Sequence, residues 1–295
     1  MPRSPHRPPS LTNRVFLGAT SLSSATLSPA SLRTTAWRRL HRNAYADAGI
    51  AVTHGVRCAA ARLVIPETAA IGGRSAAWLY GIELRDTWEP VEVVVPPEDR
   101  FGPVRGLKIR TTELTADDVV TEHATRITTP ERTAWDIARF LDSPEAVAYL
   151  DAMLRARLVM LPALHSRLAA STVPWGRKRV ATALRLADHR SESPQESRVR
   201  AKLVLAGLPP PVPQHPIYHR GRFVARVDLG WPAQRVAVEY DGVWHADAAQ
   251  LHRDRLRLNR LVAAGWAVIH VTAVRLHEDF AGVVTDVRDA LGGVR

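Results

Sequence analysis

Residues 235–242 read RVAVEYDG. In an extended strand successive side chains point to opposite faces, so Val236, Val238 and Tyr240 share one face and Ala237, Glu239 and Asp241 the other. The apolar stripe belongs in a packed core, and two carboxylates then project together near the strand's end. The preceding segment, RFVARVDLGW (222–231), reads as a neighbouring strand, with Asp228 following Val224 and Arg226 on one face. Carboxylates gathered on a half-buried sheet repel one another and lose hydration, which is costly unless a cation or protons compensate. A hard divalent cation such as Mg²⁺ meets that need with one or two carboxylates plus water and phosphate oxygens. The same residues also fit a strand edge with solvated acids, or an Asp241-Gly242 turn closing a hairpin.

Outward from this stretch the elements come in a regular order. HRSESPQES (189–197) is polar and carries a proline, and Ser193-Pro194-Gln195-Glu196 has the S-x-x-E form of a capping box. A helix over 194–206 stops at Gly207 and the prolines 209–211. Strands at 212–219, 222–231 and 235–242, a helix over 246–263 ended by Gly265, a strand WAVIHVT (266–272) and a helix over 278–291 follow. The order α-β-β-β-α-β-α predicts a small mixed sheet flanked by helices, in the α/β (α+β) class.

Upstream, Ser28-Pro29 is a helix start, a capping serine followed by proline at the first helical position, and the helix is expected to run to about Arg39. LHRNAYAD (40–47) reads as a short strand or wing. FLGATSLSSATL (16–27) is a poor helix sequence, so only the second half of a helix-turn-helix is legible. Helices are expected over 54–63, across SAAWLYG (75–81), in TPERTAWDIARFL (129–141), and at about 144–158, 161–170 and 176–188. Strands are expected at 91–96, 106–112 and 120–128. The chain therefore divides into a disordered arm over 1–13, an N-terminal region over 14–188 and a C-terminal domain over 189–295.

Charge is distributed unevenly. The 295-residue chain has a formal net charge of +11. Residues 1–46 hold seven arginines and no acid, residues 47–189 eighteen basic and eighteen acidic side chains, and residues 190–295 fifteen basic against eleven acidic. Excess positive charge at the two ends points to a polyanionic partner, although arginine richness with three lysines also follows from genomic base composition. The acid-free start has the composition of an organellar transit peptide, but Val15–Ala30 is too rich in Ser and Thr for a signal segment. No apolar run approaches the roughly eighteen residues of a membrane span. The single cysteine, Cys58, excludes an internal disulfide and, set in an apolar stretch, reads as a small core residue. Its solitude suggests a reducing, cytoplasmic setting. Arg253, Arg257 and Arg260 recur at i, i+4 and i+7 and form one helical stripe, suited to phosphates or to solvent and an Asp254–Arg257 pair.

Residues 193–291 resemble the very-short-patch-repair-like endonucleases of the PD-(D/E)XK superfamily, and closer still the group known as DUF559. The resemblance is carried by Glu196 near a helix start, Gln214, Asp228 in RVDL, VEYDGVWH (238–245), Arg253-Asp254, Arg257, and Leu261…Gly265-Trp266 entering WAVIHV. It implies a restriction-endonuclease-like sheet, Mg²⁺ or Mn²⁺ held by Asp228 and Glu239 with Glu196 completing or tuning the site, and DNA phosphodiester hydrolysis through a metal-activated water. The lysine of the superfamily signature is replaced by Asp241, which leaves water activation to Asp241 or His245. Arg253, Arg257 and Arg260 would then touch DNA.

The N-terminal region resembles the AbiEi-type antitoxin modules of toxin–antitoxin systems. The run from Ser31 through RRLHRNAYAD (31–47), the apolar helix after it, GGRSAAWLYGI (72–82) and TRITTPERTAWDIAR (125–139) carry that likeness. It implies a winged helix at the start of the region, with Arg33, Arg38, Arg39 and Arg42 facing DNA phosphates, or else a domain that binds a protein partner. The two resemblances set a metal-dependent endonuclease against a catalytically inactive, antitoxin-like DNA-binding regulator. RNA is a further substrate class for the first.

Overall fold

The computed structural model describes residues 7–84, 87–122, 124–242 and 248–292. These form α-helices and three sheets in the expected mixed α/β class, arranged in two compact units, residues 1–137 and 138–295.

The first unit opens with turns over residues 9–13, where an arm was expected. The Thr12 hydroxyl donates to Pro8 O, and the Asn13 N–H donates to Asp47 Oδ2 at 2.9 Å. Strand β1 (Val15–Leu17), helix α1 (Gly18–Ser23), helix α2 (Pro29–Leu32), strand β2 (Trp37–His41) and strand β3 (Ala44–Asp47) follow. The three strands make an antiparallel sheet in the order β1-β3-β2. Two sequence expectations are corrected here. The stretch that looks like a poor helix begins with a strand and a six-residue helix, and the helix begun at Pro29 is a single turn rather than one reaching Arg39. Ser28 does cap it, accepting from the Ser31 N–H at 3.0 Å. The Thr34 hydroxyl then donates to Ser31 O at 2.8 Å, a local bond that competes with helix continuation. Trp37 is meanwhile drawn into the core beside Phe16, edge to face at 5.1 Å.

Helix α3 (His54–Arg62) starts at the Thr53 cap and packs on all three of these strands. After strand β4 (Ala70–Ile71), helix α4 (Gly73–Leu79), strand β5 (Val91–Val95), strand β6 (Leu107–Thr111), strand β7 (Val119–Glu122) and strand β8 (Thr125–Thr128) build a five-stranded sheet, order β6-β5-β4-β8-β7. The expected strand over 120–128 is a tight hairpin, with Val120 opposite Ile127 and a positive φ of 58° at Ala124. VEVVV is buried along its whole length, so β5 has no solvent face. Cys58 lies in the core beneath that sheet with Ala61, Ile71, Val91 and Val93, as expected of a small apolar side chain. Helix α5 (Pro130–Phe140) follows, and its buried Arg132 bonds Asp118 at 2.7 Å and Asp136 at 2.9 Å.

The second unit begins with helices α6 (Ser143–Arg155), α7 (Leu161–Ala170) and α8 (Arg177–Leu186). Helix α9 (Pro194–Leu205) leads to strands β9 (Val212–His219), β10 (Arg222–Trp231) and β11 (Val236–Asp241), helix α10 (Ala248–Ala263), strand β12 (Ala267–Thr272), and helices α11 (Ala273–Glu278) and α12 (Phe280–Gly292). The sheet is mixed in the order β12-β11-β10-β9, with β11 parallel to β12 and the other pairs antiparallel. Val236 and Val238 pack with residues of α9 and α12, whereas Ala237 packs with Leu261 of α10 and with Ala264 just beyond its end. The alternation read from RVAVEYDG therefore holds.

Helix α6 packs on α9, and a buried ion pair joins them, Arg200 to Asp151 at 2.6 Å. Arg200 also donates to Leu186 O, and Asp151 accepts the Asp188 N–H at 2.7 Å. Removing one partner of a buried pair strands the other charge. Arg200→Met should therefore destabilise the protein by about 3–5 kcal/mol, read by urea denaturation. Asp151→Asn combined with Arg200→Met should recover most of that loss, because the Asn carbonyl still accepts the Asp188 N–H. A double variant no more stable than Arg200→Met would show that the pair contributes by shape and not by charge.

Candidate nucleic-acid interface and carboxylate site

The N-terminal sheet presents arginines from a short framework. Along β2 the burial runs in, out, out, half, in: Trp37 and His41 are buried and Arg38 and Arg39 exposed. Strict alternation would have turned Arg39 inward. The pairing with β3 slips between Arg39 and His41, and a bulge of this kind re-aims side chains. The β2–β3 turn is made at Asn43, with φ 65°, a conformation asparagine tolerates. Asn43 also holds α1 in place, since its side-chain oxygen accepts the Ala19 N–H at 2.8 Å and its carbonyl the Gly18 N–H at 2.9 Å. Gly18 is needed for this approach, because a Cβ there would stand 2.7 Å from Tyr45 Cε2. Arg33 and Arg42 are exposed as well. All four predicted N-terminal arginines thus lie at the surface of one small β1-α1-α2-β2-β3 assembly.

The C-terminal carboxylates converge in part. Glu196 sits in the first turn of α9 with its N–H bonded to Ser193 Oγ at 3.2 Å. Its carboxylate does not return to the Ser193 N–H, as a capping box would have it. It accepts the Glu192 N–H at 2.9 Å and Gln214 Nε2 at 2.7 Å. Asp228, on β10, accepts the Tyr240 N–H at 2.8 Å. Burial pushes its carboxyl up to about 6, with the Tyr240 N–H opposing and the charges of Glu196 and Glu239 adding to the rise. Glu239 is buried and held by Arg257 of α10, through 2.7 and 2.5 Å contacts from the guanidinium to its two oxygens. Arg257 also donates to Arg226 O. Arg253 and Arg260 of the same predicted stripe remain exposed, so the three arginines have different surroundings.

Asp241 lies 3.0 Å from His270 Nδ1 on the parallel strand β12. The sequence did not single out His270, because the parallel pairing that brings it beside Glu239 and Asp241 has no local signal. His245 lies outside the described residues. Among the described residues no three His, Cys, Asp or Glu side chains form a group able to hold a metal ion.

The raised Asp228 pKa makes a pH prediction. A carboxyl whose folded pKa lies above its unfolded value favours the fold at low pH, and that contribution is lost as pH rises from about 4 through about 6. In the presence of a chelator Asp228→Asn should stabilise the protein at pH 8 by up to about 3 kcal/mol. The gain should vanish below about pH 4. Thermal melts across this range check it, and a pH-independent difference would refute the assignment.

Residues 68–186 match the family model described as the AbiEi antitoxin C-terminal domain. An uncharacterised protein of Mycobacterium tuberculosis, found in two strains, is 33% identical over 202 residues, covering 67% of this chain and 72% of that protein. No solved structure matches the chain. Among the described residues no helix is long and apolar enough to cross a membrane. At this identity and coverage the chain belongs to the family of that mycobacterial protein, and it carries the match to an AbiEi antitoxin C-terminal domain over residues 68–186.

Proposed function

We propose that the chain is an antitoxin-like regulator that binds duplex DNA through its N-terminal assembly. The antitoxin-domain match supports this reading, and the observation that carries it is the β1-α1-α2-β2-β3 assembly with Arg38 and Arg39 exposed on β2. A helix pair followed by an antiparallel hairpin is the framework of a winged helix. Its exposed guanidiniums suit phosphate oxygens through bidentate bonds. Arg33 stands at the end of α2 and Arg42 in the wing turn, so the four charges spread over both parts of such a docking surface. The matched antitoxin domain is also the natural place for a protein partner.

Binding by these arginines should be electrostatic. Neutralising on the order of 5 phosphates gives a log–log salt slope of roughly −4 to −5 on duplex DNA. Fluorescence anisotropy with a duplex from the chain's own upstream region checks it. Arg38→Gln with Arg39→Gln should reduce the slope by about 2. An unaltered slope in that variant would remove the wing from the interface.

A second reading, DNA cleavage by residues 189–295, is favoured by one observation: the Asp228 carboxyl lies within the influence of both Glu196 and Glu239. The described residues do not fit Mg²⁺ or Mn²⁺ as they stand, since Arg257 contacts both oxygens of Glu239 and no ligand group of three forms among them. Supercoiled plasmid incubated with Mg²⁺ or Mn²⁺ decides between the readings. Nicking by the wild type that disappears in Asp228→Asn supports cleavage, and plasmid that stays intact leaves the regulator reading alone.

A further inference from the structure

A groove of about 490 Å³ opens beside the wing, lined by Arg39, Leu40, His41, Arg42, Arg57, Arg105 and Gly106. Among the described residues that line it, four are arginines and none is acidic. Arg39 and Arg42 come from β2 and the wing turn, Arg57 from α3, and Arg105 from the segment just before β6. The latter two lie outside the helix pair and the hairpin, and neither is among the arginines picked out from the sequence.

The groove is built rather than incidental. The Arg57 guanidinium stacks over Trp88, 5.5 Å from the ring centroid, which fixes its direction. Trp88 is itself 64% exposed. Gly106 adopts φ +84°, and a Cβ there would meet the His41 ring at 3.3 Å and Arg57 Nη2 at 3.5 Å. The missing side chain keeps the floor open. His41 is buried, with Nδ1 3.3 Å from Arg105 O and Nε2 3.4 Å from Arg57 O. Burial lowers the His41 pKa, so the neutral ring carries one N–H and donates to one of these two carbonyls at a time, tying β2 to the backbone of Arg105 or of Arg57.

Like charges lining one concavity repel, and the half-buried Arg57 has lost part of its hydration. Burial accordingly lowers its pKa. A fixed cluster of this sign is relieved by a polyanion that brings several oxygens along one track. We propose that this groove binds backbone phosphates of duplex DNA, with Arg57 and Arg105 extending the interface beyond the winged assembly. The inference rests on the DNA-binding reading above. The groove shares Arg39 and Arg42 with the exposed wing, so a strand lying on the wing continues over it. These contacts position DNA and carry no base information.

The test uses the full chain and a duplex probe across a salt series. Arg57→Gln with Arg105→Gln should lower the magnitude of the log–log slope by about 2, and Arg105→Gln alone, at an exposed position, by about 1. Arg179→Gln, an exposed arginine outside the groove, serves as the control and should leave the slope unchanged. Melting curves establish that each variant is folded. Wild-type DNA binding with an unchanged slope in both groove variants overturns the groove and leaves the wing reading intact. Absence of DNA binding by the wild type overturns both. Calorimetric binding of pyrophosphate that the groove variants lose, with DNA affinity unaffected, would assign the groove to a small phosphate compound and also overturn the proposal.

Discussion

Arg200 and Asp151 are both buried, and neither could be so without the other. Their 2.6 Å contact binds α9 to α6, and the flanking bonds to Leu186 O and the Asp188 N–H draw in the chain between α8 and α9. Ser191 is buried in the same place, its hydroxyl accepting from Arg200 Nε. The polar stretch that reads as a junction is thus stitched to the helices on each side. Helix α9 in turn supplies Val199 and Leu203 to the core under β10 and β11 and carries Glu196 at its start. The placement of Glu196 depends on α9, and α9 depends on a pair that burial alone would not tolerate.

The first unit solves a related problem with Arg132. Its guanidinium reaches Asp118, Asp136 and the Glu113 carbonyl, so α5 is fastened to the segment between β6 and β7. Glu92, on the fully buried β5, accepts from the Arg74 backbone and side chain at the start of α4. Such networks are costly unless every member is satisfied. The two here sit within the span of the antitoxin-domain match, where they fix helices to a sheet whose central strand, Ala70–Ile71, is two residues long. The β2–β3 hairpin lies on α3, which packs against that same sheet.

The C-terminal elements were legible because each carries its own punctuation. Ser193-Pro194 opens α9, Gly207 closes it, Gly265 ends α10, and RVAVEYDG alternates as a strand between core and helix must. The N-terminal elements were less so. FLGATSL lacks apolar periodicity because its helix is six residues long and buries only Gly18 and Ser21. Ala70–Ile71 is too short for any period to show. Arg38 and Arg39 share exposure through a slip in strand pairing, and the pairing partner lies in another strand. For the candidate sites the carboxylates were readable from alternation, but their neighbours were not. Arg57, Arg105 and His270 become relevant only through tertiary and parallel contacts between distant residues, which leave no pattern along the chain.

Arg257 is where the two readings of the C-terminal domain meet. A sheet that carries Asp228 and Glu239 next to Glu196 of α9 accumulates negative charge in a desolvated place, and something positive or a proton has to answer it. Here three answers coexist. Glu239 takes a guanidinium, Glu196 takes an amide side chain and a backbone N–H, and Asp228 is left with a carboxyl that holds its proton to about pH 6. A guanidinium answers the charge of Glu239 as a divalent ion would, and it brings no bound water to activate. In this arrangement the charge of Glu239 is answered without a cation. A cation would have to compete with Arg257 for Glu239, and the outcome of that competition separates the cleavage reading from the one in which the chain acts by binding alone.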